Sequence, residues 1–317
     1  MEAFRSSAIY ILITALCFGT MEVSLQLAGS TFDPIQLTFL RFLIGGILLL
    51  PFAVQDLRRR NYHLRKSDIL YLFLLGVVCV CISMSLFQIG VMQTNAGLAA
   101  LVISINPVFT MVFAHFLVHE SFTWRKFLVL VISVAGLVCA AGPEQLGGGN
   151  HLTGVALVLV ASVAFGLYTA LGKKRIAMIG GMTQNCLSFL FGCLALLIGM
   201  LAFRVPVFQG ITLQSVPLLL YLGAVVTGLG YFAFLKAIER SGAGTASIAF
   251  FIKPIIALIA AFLILHEAIT IHVVVGAALV LIGFTINMLP QKAKKGANQY
   301  GKEHCTNHCG SGNKAEV

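Results

Sequence analysis

Runs of about 20 predominantly apolar residues, the length at which an α-helix crosses a bilayer core, recur along nearly the whole chain. They fall at roughly 8–28, 35–54, 69–92, 98–118, 125–142, 153–172, 183–203, 215–236, 246–265 and 270–289, ten candidate spans. Strands of a membrane barrel would be about half as long and would alternate in polarity, and these runs do neither. Breaks as short as Asn95-Ala96-Gly97 and Ser241-Gly242-Ala243-Gly244 demand tight helical hairpins. Composition agrees. Of the 317 residues 59% are hydrophobic and 10% charged, where a soluble domain carries about 25% charged residues. A secreted disulfide scaffold, a disordered tail protein and a cytosolic enzyme are excluded. The expected fold is an all-α polytopic membrane protein. The first run is too long for a signal-peptide core, contains Glu22 and lacks a small-x-small cleavage site, so it is expected to stay as the first helix.

The formal net charge of +10 invites a nucleic-acid reading, but the positions of the charges argue otherwise. The basic residues sit in short clusters between apolar runs, with no basic stripe and no nucleic-acid-binding motif. If the N-terminus is cytoplasmic, the inside segments hold Arg5, the Arg58-Arg59-Arg60 and Arg65-Lys66 cluster, Arg125-Lys126, Lys173-Lys174-Arg175, Lys236, Arg240 and the tail lysines. The outside loops hold Arg204 alone. Eighteen against one satisfies the positive-inside rule. An integral protein of the plasma membrane with both termini cytoplasmic is therefore expected, ending in a disordered cytoplasmic tail, 290–317. Six cysteines lie within apolar runs, where a thiol behaves as a small hydrophobe, so free thiols are expected.

Sliding the chain along itself by 147 residues aligns 6–141 with 153–288 without a gap, giving 24 identities in 136 positions. The kinds of residue matched matter more than their number. Phe18-Gly19 meets Phe165-Gly166, Gly45 meets Gly192, Gly76 meets Gly223 and Ala96-Gly97 meets Ala243-Gly244. Pro107 meets Pro254, His119-Glu120 meets His266-Glu267, and Gly136 meets Gly283. Glycine and proline govern backbone geometry, so their joint register argues for two copies of one unit, 6–142 and 153–289. Each unit has five spans, an odd number, so the second must enter the membrane upside down. Ten transmembrane helices as two inverted five-helix repeats are a recurring architecture of secondary transporters.

In this order the residues resemble the drug/metabolite transporter superfamily, specifically proteins with two tandem EamA-type domains. The resemblance rests on Phe18-Gly19 in the first span, Pro34-x6-Arg41-Phe42 in the second, the mid-helix Pro107 and Pro254, and the glutamates Glu120 and Glu267 closing the fourth and ninth spans. It covers 8–289 and implies a ten-helix inverted-repeat carrier, often an exporter of amino acids or other small metabolites. Two departures stand out. Phe18 occupies a place where the family frequently has Trp, and Ser188 is the second-repeat counterpart of Arg41.

The histidine-glutamate pairs are not a zinc-hydrolase motif, because the position four residues after each histidine holds Thr123 or Thr270. Glu120 and Glu267 are expected instead at the positive ends of the helices that follow them. Pro107 and Pro254 each remove a backbone donor, building either a site with a hinge or a static kink. Gly19 and Gly166 are expected as structural close-approach positions. Charges inside a membrane cost at least ~2.5 kcal/mol each, which makes Glu22, Arg41 and Lys253 the strongest functional signal. Glu22 and Arg41 each lie six residues from the outer ends of their spans, at a depth where they either pair as a structural salt bridge or take part in substrate binding. Lys253, nearer the midplane, has no evident acidic partner at its own depth. It is expected to line a cavity and meet an anionic group of the substrate, with Asn106, its repeat counterpart, facing it. Tyr168, Tyr231 and Gln88 are further candidates for the cavity wall. In the tail, His304, Cys305, His308 and Cys309 are four soft-metal ligands on a flexible segment, too closely spaced to close a zinc cage. Neither a metal nor a cofactor is expected.

A secondary transporter of a small-molecule substrate is the leading expectation, and the sequence leaves proton or ion coupling and a homodimer open. The alternative is an integral-membrane enzyme acting on a lipid or amphiphile, but no nucleophile-base constellation is visible in the outside loops. No Walker motif is present, which argues against ATP-driven transport by this chain alone.

Overall fold

The computed structural model describes residues 2–119, 123–146, 149–246 and 248–288. Its long helices, in chain order, are α1 (Ser7–Ala28), α2 (Pro34–Arg60), α3 (Lys66–Gln93), α4 (Ala96–Val118), α5 (Trp124–Leu146), α6 (Leu152–Gly172), α7 (Gly181–Ala202), α8 (Val216–Ser241), α9 (Ile248–Leu265) and α10 (Ile271–Met288). Eight of them are long and apolar enough to cross a membrane, and α5 and α10 carry the two shorter apolar stretches, Phe127–Ala140 and Ile271–Gly283. The described residues contain no strand. The chain is an all-helical polytopic membrane protein of two repeats, as its hydropathy predicts.

Local chemistry accounts for the helix ends. Asp33 accepts hydrogen bonds from the N–H groups of Ile35 (2.8 Å) and Gln36 (3.3 Å), and Pro34 occupies the first turn of α2, a position where its missing donor costs nothing. At the other end Arg58, Arg59 and Arg60 lie on the negative pole of the helix before Asn61 closes it in the left-handed conformation. His119 and His266, repeat mates, close α4 and α9 with φ of 56° and 55°. Those two histidines thus terminate helices, in line with the failure of the zinc motif.

Several helices are irregular inside the apolar zone. The backbone of α1 breaks at Thr20, and α4 breaks at Ile105, so that Asn106 and Pro107 open its second half. Pro254, by contrast, lies within an unbroken α9. Both α3 and α8 widen into π-helical stretches, Val77–Met84 and Tyr221–Leu229. Shifted by 147, the first would cover Ala224–Tyr231, so the two distortions nearly coincide in the repeat. Such stretches are frequent at functional sites.

The repeats interleave. α2 packs along α7; α1 packs on α8 and α9, and its counterpart α6 packs on α3 and α4; α2 also meets α8, as α7 meets α3. Glycines permit the closest of these approaches. A Cβ on Gly19 would lie 2.6 Å from Ile256 Cβ in α9, and one on Gly166 would lie 2.7 Å from Phe109 Cβ in α4. Phe109 and Ile256 are themselves repeat mates, so the same contact is made twice, once in each direction. Large apolar side chains such as Leu70, Ile198, Leu201 and Leu263 are exposed on the outside of the bundle, while Glu22, Arg41, Gln88 and Lys253 are buried within it. That inversion of the soluble pattern suits a lipid solvent.

Candidate functional site

Where α1 breaks at Thr20, its lower half turns Glu22 into the bundle, and the contact between Gly19 and α9 brings the second repeat alongside. Lys253 Nζ lies 2.7 Å from Glu22 Oε1, with both side chains almost wholly buried. The charges meet off the line of a good hydrogen bond, so the carboxylate is held by charge and its oxygens accept no hydrogen bond of proper geometry. Lys253 therefore does have an acidic partner. The salt bridge between Glu22 and Arg41 that their depths allow is not formed. Glu22 lies on the first repeat and Lys253 on the second, making the pair a charged bridge between repeats. Comparing depths along the spans misses it for two reasons. The lysine stem reaches several ångströms from its own backbone, and the neighbourhood of α1 and α9 is a tertiary fact.

Arg41 is 1% exposed and takes different partners. Its Nη atoms point to the thioether sulfurs of Met21 (3.6 Å) and Met84 (3.5 Å), its guanidinium carbon lies 4.7 Å from the Phe42 ring centre, and its Nε has no partner. Thioethers are weak acceptors. Phe42 meets Phe189 edge-on, Phe189 meets Tyr231, and Tyr231 meets Phe18, an aromatic chain running from Arg41 to the α1 break. Tyr231 thus joins the group expected around the charges. Gln88 is buried, donates to the Leu25 carbonyl at 3.5 Å and leaves its Oε1 unpartnered. Tyr168 is buried and donates to Asn185 of α7. Asn106 is buried at the α4 break, its carbonyl accepting from Thr110. The hydroxyls of Thr20 and Tyr221 meet at 2.6 Å across the α1–α8 contact, a pair that no sequence signal indicates.

At the end of the bundle where α3 turns into α4, Glu267 behaves differently from the expectation. Its carboxylate does not serve the helix that follows it. Oε1 and Oε2 accept from the N–H groups of Ala96 (2.8 Å) and Gly97 (3.1 Å), the first turn of α4 in the other repeat. Asn95, at the N-cap position, makes no side-chain cap bond there, so the donors are open to an incoming carboxylate. Glu120 lies outside the described residues, as do the tail and its His304, Cys305, His308 and Cys309. At the opposite end Asp68 opens α3, pairs with Arg175 from the loop before α7, and accepts from the Tyr62 hydroxyl and the Arg65 N–H. The bond to Asp68 raises the Tyr62 phenol above its ordinary pKa. Six cysteines, Cys17, Cys79, Cys81, Cys139, Cys186 and Cys193, are unpaired.

The described residues thus form a membrane-spanning bundle of two interleaved helical repeats with charged and aromatic groups sealed in its interior. The profile of the EamA-like transporter family matches residues 5–142 and 152–289. The chain belongs to that family. An uncharacterized transporter of Clostridium kluyveri is 40% identical over 94% of this chain and 99% of the relative. Another of Archaeoglobus fulgidus is 26% identical over 88% and 97%. A probable terminal-alkyne amino-acid exporter of Streptantibioticus cattleyicolor is 28% identical over 65% of this chain and 70% of its own. A solved structure with a TM-score of 0.64 and 15% identity, covering 89% of this chain and 96% of that one, shares the fold.

Proposed function

We propose that this transporter is a secondary exporter of a small amino-acid-like metabolite or related organic ion, working by alternating access between its two repeats with both termini cytoplasmic. The observation that carries the reading is the buried Glu22–Lys253 pair, a charged contact inside the bundle between one helix of each repeat. A buried ion pair is a poor way to gain stability, and an apolar replacement would often do as well. Its presence is better explained by use. Protonation of Glu22 releases Lys253, which then meets an anionic group of the substrate, and Asn106, Tyr168, Tyr231 and Gln88 are the buried neutral groups offered for its other hydrogen bonds. The helix breaks at Thr20 and Ile105, with Pro254, supply the bending points. The relative named as an amino-acid exporter supports the substrate class, and the eighteen-to-one charge asymmetry supports the orientation.

The test is counterflow in proteoliposomes with labelled L-amino acids, run with and without a pH gradient. Wild-type protein should exchange at least one of them, faster with the gradient. The double variant Glu22→Gln with Lys253→Met, which removes both charges of the pair together, should insert normally and lose that exchange at least tenfold, about 1.4 kcal/mol. Wild-type exchange in the double variant would overturn the role of the pair.

A further inference from the structure

We infer that Arg41 is a subsite for the carboxylate of the transported molecule, acting together with the Lys253 that protonation of Glu22 releases; the inference rests on the transporter reading and names its substrate as a carboxylate with an apolar body. Arg41 and Lys253 are both almost fully buried, yet they are treated differently. The lysine is neutralised by Glu22 at 2.7 Å. Arg41 has no carboxylate within ion-pair distance among the described residues. Its contacts are two methionine sulfurs and the face of Phe42, and its Nε is unpartnered.

A guanidinium offers five donors in a planar fork that fits a carboxylate through two parallel bonds. Sulfur acceptors at 3.5 and 3.6 Å hold that fork in place without consuming it. Thioether side chains are flexible and unbranched, so they can swing aside for a stronger acceptor. An arginine whose purpose was structural would be expected to spend its donors on backbone carbonyls or a carboxylate, because a buried charge left unpaired is costly. Here the acceptor is missing from the protein, and the substrate can bring it. The remaining neighbours choose the ligand. Cys79, Cys193 and Tyr231 stand within electrostatic reach of Arg41, as does the carboxylate of Glu22, which is already paired with Lys253; with Met21, Met84 and Phe42 the rest is a soft, largely apolar wall, and the three charges sum to one positive. One unpaired positive charge in such a wall suits a single carboxylate on an apolar molecule better than a phosphate dianion, which needs more donors. The second repeat holds Ser188 at the equivalent position, buried with its hydroxyl unpartnered, so the subsite exists once per chain.

The experiment is thermal unfolding of the purified full chain with each L-amino acid, the matching amino-acid carboxamide, and sodium chloride. Wild-type protein should be stabilised saturably by at least one amino acid and neither by its carboxamide nor by chloride. Arg41→Met keeps much of the volume, so without ligand it should unfold at the same or a higher temperature, while its affinity for the amino acid falls at least tenfold. Arg41→Lys keeps the charge without the fork and should fall in between. Equal stabilisation by acid and amide, or by chloride, would overturn the subsite. So would unchanged affinity in Arg41→Met, or ligand-free Arg41→Met or Arg41→Lys protein that is less stable or unfolded, which would make Arg41 structural. Counterflow separates the two levels. Amino-acid exchange that persists in Arg41→Met removes the subsite and leaves the transporter reading standing, whereas wild-type protein that neither binds nor exchanges any amino acid overturns both.

Discussion

Neighbouring positions on α1 face different partners because each residue turns a helix by about 100°. Met21 meets Arg41, and Glu22 meets Lys253. A one-residue difference therefore decides which buried cation is neutralised and which is left to weak acceptors. The ion pair makes a firm prediction about stability. Glu22→Gln or Lys253→Met alone leaves the other charge buried without a partner and should cost about 3–5 kcal/mol, read as lost expression or a lower unfolding temperature. The double variant should recover most of that loss, since both charges go together. An additive double variant would show that the two groups do not interact in the folded protein. Arg41→Met should behave in the opposite way and destabilise little or nothing, because among the described residues no carboxylate lies within ion-pair distance of it.

Between helices, the contact of most consequence is the carboxylate of Glu267 on the first turn of α4. It ties the hairpin of α9 and α10 to the hairpin of α3 and α4, and so links the two repeats at one end of the bundle. A Cβ on Gly97 would meet Glu267 Oε2 at an ordinary 3.5 Å and press only on the movable end of Leu258, at 2.8 Å from its Cδ2, so the carboxylate contact does not itself require glycine there. Glu267→Ala should cost about 0.5–2 kcal/mol, the usual range for a lost N-terminal cap, in thermal unfolding of purified protein. Glu267→Gln keeps an acceptor and loses the charge, so it should fall between the two. An effect of Glu267→Gln as large as that of alanine would mean that charge, and not the hydrogen bonds, carries the contact. At the opposite end Asp68 and Arg175 make the corresponding link, α3 of the first repeat to the loop before α7 of the second. The two ends of the bundle are thus closed by different chemistry: a carboxylate on backbone amides at one, an ion pair at the other.

For the molecule as a whole, orientation is the property that charge distribution predicts most directly. Leu213 is 91% exposed in the segment between α7 and α8, and His63 is exposed between α2 and α3. In intact cells a membrane-impermeant maleimide should label Leu213→Cys at once, and His63→Cys only after permeabilisation. The six described native cysteines are buried or half-buried and should contribute little background. Labelling in the reverse pattern would invert the topology and the direction assigned to transport.

The spans, the two repeats and the glycine and proline positions were legible in the sequence because they depend on local requirements. A helix that crosses lipid must be apolar over about 20 residues. A close helix crossing such as Gly19 on α9 leaves room for glycine and little else, and the repeat displays that requirement twice, again at Gly166 on α4. The buried charges were legible as well, since Glu22, Arg41 and Lys253 stand out in apolar runs wherever the helices go. Their pairing was not. It depends on which helices are neighbours and on the rotation of each about its axis, and the Thr20 break in α1 contributes to both. The same holds for Glu267. Its value as a helix cap could be read from its charge and its place beside a helix end, but the helix it caps belongs to the other repeat. Only the tertiary structure decides such partners, because interleaving two copies of one unit brings together residues 170 positions apart that no local rule connects.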